Sequence, residues 1–392
     1  MRVLFLNHES VLGGAEIMLV RFFQACDREK FQCNLVLPKE GPLSAEAEKA
    51  GASIHLLPVE EDLLTVRRKS PLVTFSRIRN LLKTIKQLRG LILRSTPDIV
   101  ISNSVKAHVY GSLALRGSII PYGWRLHDII DDRSFSKIQC RLLYALARRY
   151  PRSIAGVSEA TCRPLRAAGI DPTKLSVMYN GIPVHESETS TTGFRSSLGF
   201  DEAHFLVTLP GRIMPQKGHE VLIRASQRVL KSVPQMRFLF VGEPFFHEFD
   251  YQSQLEVLIH ELGLDRYFVF AGFRRDMEKI YAASDVVVQP SVLPDSFPTV
   301  ILEAMAAGKS VVASDAGGAV EIITDGEDGS IVPAGDERAL ADKLIDIAMN
   351  GAIYERAAIK ARIKVEAHFN LEGYVEGMQS WLESLSAIGK NE

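Results

Sequence analysis

Short apolar runs rich in β-branched residues alternate along this chain with longer stretches in which apolar residues recur three and four positions apart. RVLFLN, FQCNLVLP, PDIVISNS and GWRLHDII have the length and composition of buried strands. AEIMLVRFFQAC, FSRIRNLLKTIKQLRGLILRS and FSKIQCRLLYALARRY carry the helical spacing. Strands that alternate with helices predict a parallel sheet covered on both faces. Near residues 183–197 the pattern breaks into PVHESETSTTGFRSS, a polar segment read as a linker or exposed loop. A second series follows it: HFLVTLPG, a helix from about His219, MRFLFVGEP, QLEVLIHELG, YFVFAGF, DVVVQPS and SVVASDAGG. The expectation is two doubly wound α/β domains, 1–183 and 184–373.

Length agrees, since 392 residues exceed what one hydrophobic core usually organises. With 46% hydrophobic and 24% charged residues, the composition is that of a globular protein. No apolar run reaches the length of a signal-peptide core or a membrane span, so a cytoplasmic chain is expected. Cys26, Cys33, Cys140 and Cys162 have no CxxC spacing and read as reduced thiols, neither a metal knuckle nor a disulfide framework. The net charge of -1 conceals an asymmetry: residues 1–183 hold 27 Lys+Arg against 16 Asp+Glu (+11), and residues 184–392 hold 19 against 31 (-12). The first half is therefore suited to an anionic surface or ligand.

Open parallel sheets bind ligands beyond the C-terminal ends of their strands. The residues there are polar or glycine-rich in this chain: Asn7 to Gly14, Asn103, His127-Asp128, Gly211 to Lys217, Gly242-Glu243, Ser291 to Thr299 and Asp315 to Gly318. In GRIMPQKGHEVLI, Arg212 offers a planar fork of donors and Lys217 a mobile point charge, a combination suited to a diphosphate. In PDSFPTVILEAMAAGKSVVASDAGG, Pro298 is expected at the first turn of a helix. Its leading amides, those of Thr299, Val300 and Ile301, would then face an anion. Asp295 stands before that helix and Glu303 lies within it, and carboxylates are strong acceptors for sugar hydroxyls.

Asp295, seven residues and Glu303 together resemble the E-x7-E signature of the retaining glycosyltransferases of family 4, which have the GT-B architecture of two Rossmann-like doubly wound parallel-sheet domains facing a cleft. The resemblance takes in nearly the whole chain: GGAE at Gly13–Glu16, His127-Asp128, Asn180-Gly181, Arg212 and Lys217, the VGE turn, SDVVVQPS and LEAMAAGKSVVASDAGG. It implies that Arg212 and Lys217 bind the donor diphosphate, Glu303 the ribose and Asp295 the donor-sugar hydroxyls. Phe297, Pro298, Thr299 and Val300 would meet the sugar and β-phosphate through their backbone, and His127 would sit beside the anomeric centre. Gly13 and Gly14 would lie near the diphosphate and acceptor and Gly242 near the donor, with Phe273 and Arg274 framing the base. It further implies that a last helix, about 374–392 around Trp381, crosses back to the first domain. Two positions depart from the pattern: Asp295 replaces Glu, and Pro298 replaces the usual Gly and removes one backbone donor.

The expected reaction is transfer, with retention, of a hexose from a UDP-sugar such as UDP-glucose to a saccharide or lipid-linked saccharide acceptor in polysaccharide or glycoconjugate assembly. No D-x-D triplet occurs, so neither a metal nor a cofactor is expected. Nine basic residues and no acid lie between Arg67 and Arg94, interleaved with Leu, Ile and Phe. They suggest peripheral contact with an anionic membrane at its inner face, the plain alternative being a solvated helix. Nucleic acid is not an expected partner, because stacking aromatics are sparse there. The rival readings are a UDP-sugar 2-epimerase of the same architecture and a catalytically silent sugar-nucleotide-binding subunit.

Overall fold

In the computed structural model, residues 1–60, 63, 75–184, 193–244 and 249–390 are described. They form two units, Met1–Gly181 with Leu371–Glu392, and Ile182–Asn370. Arg67, Arg68 and Lys69 of the basic stretch, and residues 185–192 of the polar segment, lie outside the described residues. The chain leaves the first unit after Gly181 rather than within that polar segment. Ile182 already donates its amide to the Phe369 carbonyl at 2.9 Å, which ties residues 182 and 369 into the second unit.

The first unit is built on a parallel sheet of β1 (Arg2–Leu6), β2 (Gln32–Leu37), β3 (Ser53–Leu56), β4 (Ile99–Ser102), β5 (Tyr122–Leu126), β6 (Ser153–Gly156) and β7 (Leu175–Val177). Its strand order is β3-β2-β1-β4-β5-β6-β7. Helices α1 (Gly14–Ala25), α2 (Pro42–Lys49), α3 (Phe75–Ser95), α4 (Val105–Ala114), α5 (Lys137–Arg149) and α6 (Glu159–Ala167) connect the strands. Successive strand residues point to opposite faces, so β1 feeds two cores. Val3 and Phe5 pack with Phe22, Phe23 and Leu35, while Leu4 and Leu6 pack with Leu88, Trp124 and Leu143. Local signals match the global arrangement: α5 opens with a capping box in which Ser136 Oγ accepts from the Gln139 amide and Gln139 Oε1 accepts from the Ser136 amide.

The second unit carries β8 (Phe205–Pro210), β9 (Met236–Val241), β10 (Phe268–Phe270), β11 (Val286–Gln289), β12 (Ser310–Ser314) and β13 (Ser330–Val332), ordered β10-β9-β8-β11-β12-β13. Helices α7 (Phe194–Ser197), α8 (His219–Ser232), α9 (Phe249–Glu261), α10 (Met277–Ala283), α11 (Thr299–Ala306), α12 (Ala319–Ile322), α13 (Glu337–Met349) and α14 (Gly351–His368) flank it.

The final helix, α15 (Leu371–Lys390), belongs to the first unit. Tyr374, Val375, Met378, Trp381, Leu382 and Leu385 enter the core beneath α1. Trp381 Nε1 donates to Ser153 Oγ at 2.8 Å, and Tyr374 donates to the Met18 carbonyl at 3.3 Å. Gly123 on β5 makes room for this helix, because a Cβ there would stand 2.9–3.0 Å from Leu385 and Trp381 atoms.

Candidate active site

A strand order that runs outward in both directions from a central pair creates a crevice at the strand ends, where the flanking loops diverge. In the second unit that pair is β8 and β11, and in the first it is β1 and β4. The loops after those strands therefore hold the positions at which each sheet presents side chains to a ligand.

In the second unit the β8 and β11 loops are joined by backbone. Val292 donates to the Gln216 carbonyl at 2.9 Å. Gly218, at φ +77°, approaches so closely that a Cβ would lie 1.9 Å from the Pro290 carbonyl oxygen, which leaves no alternative to glycine. The loop after β12 joins the same assembly, since Gly318 donates to the Asp295 carbonyl at 2.7 Å and Asp295 donates to the Ala316 carbonyl at 3.3 Å. Gly242, at the end of β9, donates to Gly272 at 2.9 Å, and Phe273 donates to Glu243 Oε1 at 3.2 Å.

On this frame Lys217 and Asp295 form an ion pair, both half-buried. Asp295 Oδ2 also lies 3.5 Å from Gln289 Nε2, which donates to Ser291 Oγ at 3.1 Å. Gln289 is buried at the end of β11, and its Oε1 meets no partner among the described residues. Arg212 stands in the same β8 loop with its side chain exposed.

Helix α11 begins at Thr299, and Pro298 is its N-cap at φ −74°, ψ 99°. Proline thus stands just outside the helix instead of in its first turn, because its ψ lies in the extended region. Ile301 is not an open donor either: its amide is bonded to the Pro298 carbonyl at 3.1 Å. The amides of Thr299 and Val300 remain at the positive end of the helix, with no acceptor among the described residues. Glu303, one turn further, accepts from the buried Tyr281 hydroxyl at 2.9 Å, which fixes one carboxylate oxygen. Phe297 is buried with its ring 5.9 Å from that of Phe369, so its contact with any ligand is through backbone. Phe273 is 59% exposed and leaves a ring face to solvent. Arg274 is held by a two-point pair with Asp276 at 2.9 and 2.7 Å, and these hydrogen bonds keep that carboxyl below the usual range.

The first unit gathers a different chemistry at its strand ends. Gly13 caps α1 and donates to Glu16 Oε2 at 3.2 Å, while Asn7 donates to Glu16 Oε1 at 3.2 Å. Burial raises the Glu16 carboxyl, against the pull of these hydrogen bonds. Gly14 is exposed, with open space where a Cβ would stand. His127 Nε2 is 3.0 Å from Asn103 Oδ1, an acceptor, so that nitrogen carries the proton and Nδ1 is left with a lone pair. Burial, followed by the Arg125 charge, lowers the imidazole well below its ordinary value and keeps it neutral.

The structure brings Lys217, Asp295, Thr299, Val300 and Glu303 onto one strand-end assembly of the second unit, with Gly242, Phe273 and Arg274 on the neighbouring β9 and β10 loops. Gly13, Gly14 and His127 are on the first. Sequence reasoning missed Tyr281 and Ser104 and gave no role to Gln289 or His8 within the segments it singled out; His8 Nδ1 and Ser104 Oγ share a 2.7 Å contact in the first unit. Gln289 left a faint signal as the one polar residue closing the run DVVVQ; Tyr281 left none.

Two doubly wound units, with ligand-type residues at both switch points, define the GT-B class of α/β protein. Comparison with known proteins gives the family: residues 12–186 match Glycosyltransferase Family 4 and residues 191–364 match the glycosyl transferases group 1. The chain belongs to these group 1/family 4 glycosyltransferases. Among solved structures, Anabaena Alr3699/HepE in complex with UDP and glucose superposes with a TM-score of 0.84 at 26% identity, over 98% of this chain and 100% of that one. An Escherichia coli UDP-Gal:alpha-D-GlcNAc-diphosphoundecaprenol alpha-1,3-galactosyltransferase is 22% identical over 348 residues, 86% of this chain and 85% of that protein. The uncharacterized glycosyltransferase MJ1607 of Methanocaldococcus jannaschii is 38% identical over 157 residues, 38% of each chain. The chain spans less than half the length of several curated relatives matched at 30–38% identity.

Proposed function

We propose that this protein transfers a hexose, with retention, from a UDP-sugar to a saccharide or lipid-linked saccharide acceptor. The observation that carries the reading is the Lys217–Asp295 pair at the switch point of the second unit, beside the Thr299 and Val300 amides. A cation and a helix N-terminus on a shared backbone frame suit a diphosphate, and a carboxylate next to them suits a sugar hydroxyl. Arg212 adds the second cation. Glu303, held by Tyr281, suits the vicinal hydroxyls of a ribose, and the exposed Phe273 ring suits a base. The UDP and glucose bound to Alr3699/HepE support a UDP-hexose donor, and the diphosphoundecaprenol-linked substrate in the galactosyltransferase's name supports a lipid-linked acceptor.

In this reading the bond between the anomeric carbon and the β-phosphate oxygen breaks as the acceptor oxygen bonds to the same face. The acceptor's proton passes to the departing phosphate. Negative charge grows on the leaving group, where the α11 amides, Lys217 and Arg212 would meet it in the manner of an oxyanion hole. The phosphate charge is met by these side chains, and activity is expected to survive chelators. Asp295 neutralises Lys217 before donor binds; the diphosphate takes over that charge and releases the carboxylate to a sugar hydroxyl.

Peripheral membrane contact is part of the same proposal. From residue 63 to 158 the sequence holds 18 Lys+Arg and 4 Asp+Glu. Helices α3 and α5 lie on one face of the first sheet, each packed against α4. Leu82 and Leu93 of α3, and Ile138 and Leu142 of α5, are exposed among Lys86 and Arg141. No helix among the described residues is long and apolar enough to cross a membrane.

Thermal-shift measurements with UDP-, GDP- and ADP-sugars test the donor, because a ligand at about 100 times its Kd stabilises a fold by about 2.7 kcal/mol. A shift with UDP-glucose or another UDP-hexose, followed by donor hydrolysis or transfer, is the expected result. Binding without turnover would turn the reading to a silent subunit. Binding to vesicles of anionic lipid, lost on reversing Lys86 and Arg141, tests the membrane contact.

A further inference from the structure

The sequence places Cys26 and Cys33 seven residues apart, outside any metal or redox spacing, yet the fold returns them to each other. Cys26 closes α1 and Cys33 is the second residue of β2, paired in register with Val3. Their sulfurs are 3.9 Å apart, close enough to share a proton and about 2 Å longer than a disulfide bond. Both are buried members of the first unit's core, Cys26 7% and Cys33 8% exposed, so a small hydroperoxide reaches them as α1 and β2 breathe. Arg28 stands in the loop between them, anchored by its bond to the Ala50 carbonyl at 3.0 Å. The other two thiols share none of this. Cys140 lies in the opposite core, and Cys162 is fully buried with its sulfur against the Ser176 carbonyl.

We propose that Cys26 and Cys33 are a hydroperoxide-reactive dithiol that closes to an intrachain disulfide between α1 and β2. Either sulfur can donate the hydrogen bond between them, which favours one thiolate in the pair, and the Arg28 charge lowers both thiols against the effect of burial. The attack is assigned to Cys26, the sulfur at the end of α1 beside Arg28. The Cys26 thiolate attacks one oxygen of the hydroperoxide, forming a sulfenic acid and releasing hydroxide or alkoxide. Cys33 sulfur then displaces water from the Cys26 sulfenic acid, and the sum is two thiols and one hydroperoxide giving a disulfide, an alcohol or water, and water. The inference does not depend on the transfer reaction. Its functional interest is that α1 opens with Gly13 and Glu16, so the bridge restrains the helix that carries the glycine turn.

The test uses the reduced full chain treated with hydrogen peroxide. Expected are the loss of two of the four thiols, an intact mass lower by two hydrogens, a Cys26–Cys33 cross-linked peptide on digestion, and full recovery with dithiothreitol. In Cys33→Ser the reaction should stop at a Cys26 sulfenic acid that dimedone traps, and in Cys26→Ser the Cys33 thiol should persist. Phenylarsine oxide, which bridges paired thiols, should bind the untreated protein once and protect it from peroxide. Four intact thiols after peroxide, or a bridge that involves Cys140, Cys162 or a second chain, overturns the proposal even if the serine variants fail to fold.

Discussion

The two units solve the same topological problem with opposite chemistry. In the second, the switch point is charged and stitched: Lys217 pairs with Asp295, and three loops exchange backbone hydrogen bonds around them. In the first, it is a side-chain hydrogen-bond network: His127 on Asn103, His8 on Ser104, and Glu16 bound by Asn7 and Gly13. A pyrophosphate needs fixed positive charge, which a rigid backbone frame holds without reorganisation. An acceptor hydroxyl needs positioned donors and acceptors, which such a network holds. In the proposed reaction the second unit meets the donor and the first the acceptor.

The comparison breaks most sharply at Lys217. Lys217→Ala is expected to lower kcat/KM by about 10²–10³, or roughly 3–4 kcal/mol, in steady-state assays with a UDP-hexose; an equal effect on the acceptor KM alone would reverse the assignment of the units. Gly218→Ala should cost about 2 kcal/mol or more of stability by denaturant melts, since its φ is left-handed and the added carbon meets the Pro290 carbonyl. Glu303→Gln removes a charged acceptor for hydroxyls, and a rise in donor KM worth about 1.5–3 kcal/mol is expected with the acceptor KM unchanged.

A pH-dependent effect comes from a fully buried imidazole in each unit, His108 and His219, both pushed down to about 3 by burial. Each stays neutral in the folded protein while the unfolded chain takes up a proton below about pH 6.5. The unfolded state then binds more protons, so stability falls as pH falls, by about 1.4 kcal/mol per pH unit for each histidine until its folded value is reached. Urea melts from pH 7 to pH 4 check the slope, which should shrink in His219→Gln for the second unit alone. Trp381→Phe, which forfeits the bond to Ser153, should cost about 1 kcal/mol in the first unit and nothing in donor binding.

The sequence made the second unit's site far more legible than the first's. Arg212, Lys217, Asp295 and Glu303 are charged residues in apolar or glycine-rich surroundings, and charge at a strand end is a strong signal. His8, Ser104, Gln289 and Tyr281 act through side-chain hydrogen bonds that only the folded backbone brings together. The fold divides the same way. Largely apolar runs such as FLVTLP and VVVQ announce their strands, whereas in β3 (SIHL), β6 (SIAG), β7 (LSV) and β13 (SIV) serine, histidine or glycine interrupts the few apolar residues. The ordering of Pro298 was misjudged because a proline before a helix looks alike at the cap and in the first turn until ψ is known.

The return of α15 has a consequence for synthesis on the ribosome. Six of its side chains sit in the first unit's core, a burial on the order of 10 kcal/mol. The unit begun first therefore cannot be finished until residues 371–385 have emerged, while Ile182–Asn370 is already complete. During that interval β1, α1 and their apolar faces wait for a partner some three hundred and fifty residues downstream, and a nascent chain halted before Leu371 should expose them to chaperones.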